Sequence, residues 1–127
     1  YRGLNPDLYR AEPYVTPGNV DGPDSPNFGR GGFTWYTGSS AWSFLVAMEG
    51  ICGIIPDWDG LFINPQVPDE WTEFSVTRPY RGARYQFTFR RAATGEEKKI
   101  IVDGVKTDGT KIYPHNDGAL HHVEVIF

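Results

Sequence analysis

The sequence predicts an α+β chain: a long irregular segment, then one apolar helix, then an antiparallel β-sandwich-like layer. Three observations carry that class. Residues 1–36 show no sustained hydrophobic period and hold five prolines and six glycines, which is turn and loop chemistry. Residues 39–53 repeat apolar side chains at helical spacing. From residue 61 onward the period falls to two, and turn dipeptides separate the runs.

Taken in order, residues 1–36 read as loop, long enough to be functional or to lie against further structure. In the helix, Trp42, Leu45, Val46, Met48, Ile51 and Cys52 supply the apolar spacing. Thr37 or Ser39 caps its start, while Gly53 and Pro56 stop it. So apolar a helix needs cover on most sides. After "PDWDG", the stretch "LFINP" is a short strand. "FSVTRPYRG" and "ARYQFTFRR" alternate, the second through Tyr85, Phe87 and Phe89. "KKIIVDG", "KIYP" and "HHVEVIF" follow, the last through Val123, Val125 and Phe127. The intervening "RG", "TGEE", "DG" and "NDG" suit hairpin turns. Five or six antiparallel strands make a sandwich or jelly-roll-like layer.

The totals narrow the function classes. With 127 residues, one sizeable core is within reach. Net charge is -4, which disfavours a nucleic-acid backbone as partner. Residues 1–73 hold 3 basic and 10 acidic side chains, net -7, and residues 74–127 hold 9 and 6, net +3. No apolar run is long enough to span a bilayer, so no membrane partner is expected. The one cysteine, Cys52, reads as a buried structural thiol and fits a reducing, cytoplasmic setting. The polar opening, without an initiator Met, reads as a piece of a longer protein.

The densest chemistry lies in "GRGGFTWYTGSSAW", residues 29–42. A helix start leaves backbone N–H groups unpaired and carries partial positive charge. Gly38 lets an oxyanion approach the backbone, and Thr37, Ser39 and Ser40 add hydroxyl donors. Arg30 offers a planar bidentate donor. Together they suit an anion, phosphate above all. Phe33, Trp35 and Tyr36 suit the C–H face of a sugar ring. The same Thr-Gly-Ser is also an ordinary helix cap, and spacing alone leaves both readings open.

Other candidates read as structural. His115, His121 and His122 lie in a turn and on the last strand. Neighbours 121 and 122 point to opposite faces, and no Cys or carboxylate cluster stands at ligand spacing, so no metal is expected. Asp57, Asp59 and Asp69 read as solvated turn residues, and Trp58 and Trp71 as core or interface anchors. The basic residues between Arg78 and Lys99 read as the solvated face of a sheet.

In this order, "AEPYV", "GRGGFTWYTGSSAW", "EGICGI", "PDWDGL", "VTR", "YRGA" and "VDG" resemble the C-terminal part of the cellobiose phosphorylase-type glycoside phosphorylases. The resemblance runs from about residue 9 to 127. That family includes chitobiose, cellodextrin and cellobionic acid phosphorylases and a domain of cyclic glucan synthases. The resemblance implies that residues 1–56 are the end of an (α/α)6 catalytic barrel, with active-site loops and the last core helix. Residues 57–127 would be the C-terminal β-domain.

It also implies a reaction. A β-linked glucosyl disaccharide, cellobionic acid or cellobiose, is cleaved by inorganic phosphate with inversion, giving α-glucose 1-phosphate. An aspartic acid protonates the leaving oxygen, and phosphate takes the place of water. No cofactor and no metal are implied. The family's phosphate-binding Thr-Gly pair matches Thr37 and Gly38, and its acceptor-side Glu matches Glu12. Tyr14, Thr16 and Asn19 complete the sugar-side candidates, and Arg30 and Ser25 the phosphate-side ones. Thr16 stands where cellobiose phosphorylases tend to have Tyr. No His lies between Glu12 and Thr37 to contact phosphate, so Ser25 or Arg30 takes that place. "TPGNVDGPDSP" is nearest to the cellobionic acid branch. The catalytic Asp matches nothing here, so the chain alone is expected to be inactive. Its implied partners are a small saccharide, inorganic phosphate, the N-terminal part of the same enzyme and, at full length, a second subunit. Two other readings stand beside this one: a non-catalytic carbohydrate-binding β-module, and the C-terminal part of a cyclic glucan synthase.

Overall fold

The structure is a computed structural model that describes residues 5–12, 15–35 and 37–127, with the Thr37 side chain outside that description. Contacts divide the chain into two compact units, Tyr1–Val46 and Ala47–Phe127.

In the first unit, helix α1 (Pro6–Tyr9) is a single turn. Asn5 caps it by accepting from the Asp7 N–H, and Arg10 ends it in the left-handed conformation. Strands β1 (Asn19–Val20) and β2 (Gly31–Gly32) pair antiparallel. The loop expected over residues 1–36 therefore carries short pieces of regular structure. Runs of two to four residues are too brief to leave a hydrophobic period. Helix α2 (Thr37–Leu45) follows. Its apolar side chains are open, with Trp42 70% and Phe44 58% exposed.

The expected helix over 39–53 departs from α geometry. From Val46 to Ile51 the backbone forms a π-helix, and the Cys52 N–H reaches back five residues to the Ala47 carbonyl at 2.9 Å. Periodicity of apolar residues does not distinguish a wide turn from an α turn. Met48 and Cys52 pack against the β core, and that packing offsets the weaker hydrogen-bond register of a π turn.

The second unit is two small sheets. Strands β3 (Ile54–Pro56), β4 (Leu61–Ile63) and β9 (Lys111–Ile112) make a three-stranded sheet in the order β3-β4-β9. The larger sheet holds β5 (Glu73–Tyr80), β6 (Ala83–Arg90), β7 (Lys99–Val102), β8 (Val105–Lys106) and β10 (Leu120–Ile126). Its order is β5-β6-β10-β7-β8. One core joins both sheets: Ile54, Leu61, Ile63 and Ile112 from the smaller, and Tyr85, Phe87, Phe89, Ile100, Val102, Val123 and Val125 from the larger. Burial alternates along β6 as the period-two pattern requires. Phe74 on β5 stacks on Phe89 with centroids 4.4 Å apart.

The expectation of a purely antiparallel layer is corrected at one place: β10 pairs with β6 in parallel and with β7 antiparallel. The chain leaves β6, builds β7 to β9, and returns its last strand to the centre of the sheet. Alternation fixes which face a residue occupies but not which neighbour its strand takes. Two hairpins use the turns their sequences suggest. Arg81 and Gly82 connect β5 to β6, and Asp103 and Gly104 connect β7 to β8, all four at positive φ, the two-residue type I′ form. Of the two tryptophans read as anchors, Trp71 packs edge-on against Phe74, whereas Trp58 is 92% exposed and is not in the core.

Candidate functional site

The polar candidates cluster in the first unit. Between β1 and β2 the chain turns through "DGPDSPNFGR". The Asp21 N–H donates to the Arg30 carbonyl, and the Gly29 N–H to the Asp21 carbonyl, both at 2.9 Å. Ser25 belongs to this turn. Its hydroxyl donates to Asp21 Oδ2 at 3.3 Å and accepts from the Asn27 N–H at 3.1 Å. Ser25 thus has work inside the turn, while the Arg30 side chain is exposed. Arg30 borders two clefts, one of about 250 Å³ with Asn19, Asp21 and Phe33, and one of about 180 Å³ with Asp7, Arg10 and Asn27.

The glycines of this segment divide by purpose. A β-carbon on Gly32 would press on Asn19 Oδ1, and one on Gly31 would press on Ala11. Those two glycines serve close packing of the chain on itself. At Gly38 a β-carbon would meet nothing within 4 Å among the described residues. No packing among those residues explains glycine there, and they leave the space over the second residue of α2 open.

Phe33 and Trp35 approach α2 with φ of 50° and 65°. Bulky residues rarely hold the left-handed conformation, and strain of this kind, roughly 1–3 kcal/mol each, gathers at functional sites. Trp35 Nε1 donates to Glu12 Oε1 at 3.2 Å. The other oxygen, Glu12 Oε2, is buried and has no hydrogen-bond partner among the described residues. A buried acceptor without a donor is costly in isolation, and a ligand hydroxyl would satisfy it.

Among the sequence candidates, then, Asn19 and Arg30 meet at one cleft, and Glu12 meets Trp35. Thr16 is half-buried in the same unit. Tyr14 lies outside the described residues. Thr37 and Gly38 open α2, and no hydrogen bond among the described residues links Gly38 to Arg30.

A second cluster, in the β unit, was not anticipated. Asp103 on the β7–β8 turn, His115 before β10 and His121 on β10 each place a ligand atom within 4.8 Å of the other two. His121 is 7% exposed. Its Nδ1 lies 2.7 Å from Asp103 Oδ2, and its Nε2 lies 3.1 Å from Asp117 Oδ1. The Asp103 hydrogen bond, helped by Asp117, raises the His121 pKa above the usual histidine range. The Asp103 pKa is lowered by the bond to His121 and by the His122 N–H. The His115 and His121 rings stack with centroids 3.8 Å apart. Tyr85 Oη lies 3.1 Å from His115 Nδ1 and accepts the His115 backbone N–H at 3.0 Å. The sequence marked Asp-Gly as a turn and separated His121 from His122 by face. It gave no spacing signal, because the three residues come from separate turns and strands.

Residues 3–53 match a family described as the glycosyl hydrolase 94 superfamily, catalytic domain. The chain is 34% identical to a solabiose phosphorylase of Paenibacillus borealis over 90% of this chain and 15% of that protein. It is 36% identical to the cyclic beta-(1,2)-glucan synthase NdvB of Rhizobium meliloti over 84% of this chain and 4% of that protein. It is also 36% identical to a cellobionic acid phosphorylase of Neurospora crassa over 68% of this chain and 10% of that protein. The chain therefore spans about a sixth or less of these relatives.

Proposed function

From its likeness to glycoside phosphorylases and a glycosyl hydrolase 94 catalytic domain, we propose that this chain is the C-terminal portion of an inverting glycoside phosphorylase. The observation that carries the reading is the catalytic-domain match over residues 3–53. It takes in the strained aromatic approach, the Thr37–Gly38 start of α2 and Glu12. Inorganic phosphate binds at the opening of α2, where the helix dipole and the N-terminal backbone favour an anion, with Arg30 as a charged donor. The sugar lies toward Glu12, whose unpartnered Oε2 accepts an acceptor-side hydroxyl. Thr16 and Asn19 flank it, and the family resemblance adds Tyr14 as a sugar-side candidate.

The substrate is a β-linked glucosyl disaccharide, and the product is α-glucose 1-phosphate. Cellobionic acid is the first substrate to try, because "TPGNVDGPDSP" reads nearest to that branch and a cellobionic acid phosphorylase is among the relatives. Phosphate attacks the anomeric carbon from the face opposite the leaving group, so the configuration inverts. The general acid, an aspartic acid, comes from chain outside these residues. In this reading α2 is the last core helix of an (α/α)6 barrel, which accounts for its exposed Trp42 and Phe44. The enzyme works in the cytoplasm as a homodimer, without a cofactor. Replacing Thr37 with Val in the polypeptide that contains these residues should raise the KM for phosphate about tenfold with a much smaller change for the sugar. An unchanged phosphate KM would remove Thr37 from the site. Assayed by itself, the 127-residue chain should release no sugar phosphate.

A second reading has one specific support, the similarity to a cyclic glucan synthase over 84% of this chain. The two readings differ in product. A disaccharide phosphorylase consumes phosphate and releases a sugar phosphate from a disaccharide, whereas the alternative gives no phosphate-dependent cleavage of that substrate.

A further inference from the structure

We propose that His121 is a pH-operated clasp in the β unit: as an imidazolium it holds residues 113–119 to strand β10 through Asp117, and as a neutral ring it keeps Asp103 and lets Asp117 go. Hydrogen-bond valence carries the inference. The ring is almost fully buried, with His121 7% exposed. Its Nδ1 meets Asp103 Oδ2 at 2.7 Å, and its Nε2 meets Asp117 Oδ1 at 3.1 Å. Ionised carboxylates only accept, and a neutral imidazole has a single N–H. Both contacts are hydrogen bonds only when both ring nitrogens carry protons. Once one proton leaves to solvent, a nitrogen lone pair faces a carboxylate oxygen and that contact turns repulsive.

The two carboxylates are not equivalent. Asp103 makes the shorter contact, and its Oδ1 accepts the His122 N–H at 2.8 Å, so it is tied to β10 at two points. It also sits in the two-residue turn between β7 and β8. Asp117 makes the longer contact and lies between Asn116 and Gly118, both at positive φ. Its Oδ1 also accepts the Ala119 N–H at 2.9 Å, a bond within its own segment. Loss of the proton therefore breaks the contact to Asp117. Residues 116–119 are then left with two backbone bonds to the start of β6, from the Gly118 N–H to the Gly82 carbonyl and from the Arg84 N–H to the Ala119 carbonyl.

The other titratable groups that face His121 are His115, whose ring stacks on it with centroids 3.8 Å apart, and Tyr85 of β6, at 5.4 Å. The Asp103 bond, opposed by burial and helped by Asp117, raises the His121 pKa above 6.5. The Asp103 and Asp117 pKa values are lowered, so both carboxylates stay ionised while His121 titrates. A histidine whose folded pKa is raised adds stability below its unfolded value and loses it as pH rises through the folded one. The clasp is thus closed at pH 6.5 and below and opens on the alkaline side.

The test is hydrogen–deuterium exchange by mass spectrometry on the polypeptide that contains these residues, from about pH 6 to about pH 9, corrected for the intrinsic pH dependence of amide exchange. Peptides covering residues 113–119 should lose about tenfold in protection across that range, while peptides from β6 keep theirs. His121→Gln, which has nothing to titrate, should abolish the step. Asp117→Asn should abolish it with protection retained at about pH 9, because a carboxamide N–H donates to the neutral Nε2. His122→Gln, on the opposite face of β10, should leave the step in place. No step in the parent would overturn the proposal. So would a step of the parent's size in a folded His121→Gln or Asp117→Asn protein.

Discussion

Gly38 and Gly53 serve opposite ends. Gly53 has φ of 66°, and a β-carbon there would run into the carbonyl of Asn64. Gly53→Ala should therefore destabilise the β unit by about 3 kcal/mol, from left-handed strain plus the clash, measured as a lowered denaturation midpoint. Around Gly38 the described residues leave open space. In the intact enzyme Gly38→Ala should leave stability nearly unchanged and raise the phosphate KM, because the added methyl covers the N–H groups the anion needs. A loss of stability at Gly38 with unchanged phosphate kinetics would reassign it to a structural cap. The sequence made both glycines conspicuous, since each flanks a helical run. It could not sort them, because the difference lies in what packs over each α-carbon. Glu12 is a similar case. Its place in "EPYV" was visible, but its divided state, one oxygen held by Trp35 and one without a donor among the described residues, depends on a contact 23 residues away.

At the scale of elements, the β-strands were the most legible part. Tyr85, Phe87 and Phe89 alternate in the sequence and are fully buried in the fold. Phe87→Ala should cost about 3–5 kcal/mol through lost burial and the cavity it leaves, read from chemical denaturation. The parallel pairing of β6 and β10 was not legible, since neighbour choice depends on the whole sheet. Nor was the π turn at 46–51, which rests on how Met48 and Cys52 meet the core. The loop after β6 has a sharp electrostatic signature. Arg90 grips Glu96 with two hydrogen bonds, of 2.8 and 2.7 Å, and the Glu96 pKa falls from 4.5 to about 2. A carboxylate whose folded pKa is depressed adds stability above its unfolded pKa and loses it as pH falls toward the folded one. Acidification from pH 4.5 to about 2 should therefore weaken the parent more than Glu96→Gln. The pair is exposed, so the difference should be modest and shrink with salt. Equal acid sensitivity of the two proteins would show that the grip does not contribute.

For the whole molecule, the resemblance put a boundary between residues 56 and 57, whereas contacts divide the chain into Tyr1–Val46 and Ala47–Phe127. The first unit carries the candidate phosphate and sugar groups. The second carries the core and the Asp103–His115–His121 cluster. Glycine, hydroxyl and arginine in one short segment marked the first candidate site in the sequence, because they are close along the chain. The second cluster was hidden because its residues come together only when the strands do. The central claim concerns the first unit: these residues hold phosphate for an inverting cleavage whose acid lies elsewhere in the polypeptide. The most direct measurement incubates the polypeptide encoded by the whole gene with cellobionic acid and inorganic phosphate, and follows the anomeric protons and the phosphorus signal by NMR. The account predicts α-glucose 1-phosphate, formed only when phosphate is present and formed slowly at low phosphate by the Thr37→Val protein. Cleavage independent of phosphate, or a β-sugar phosphate as first product, would contradict it.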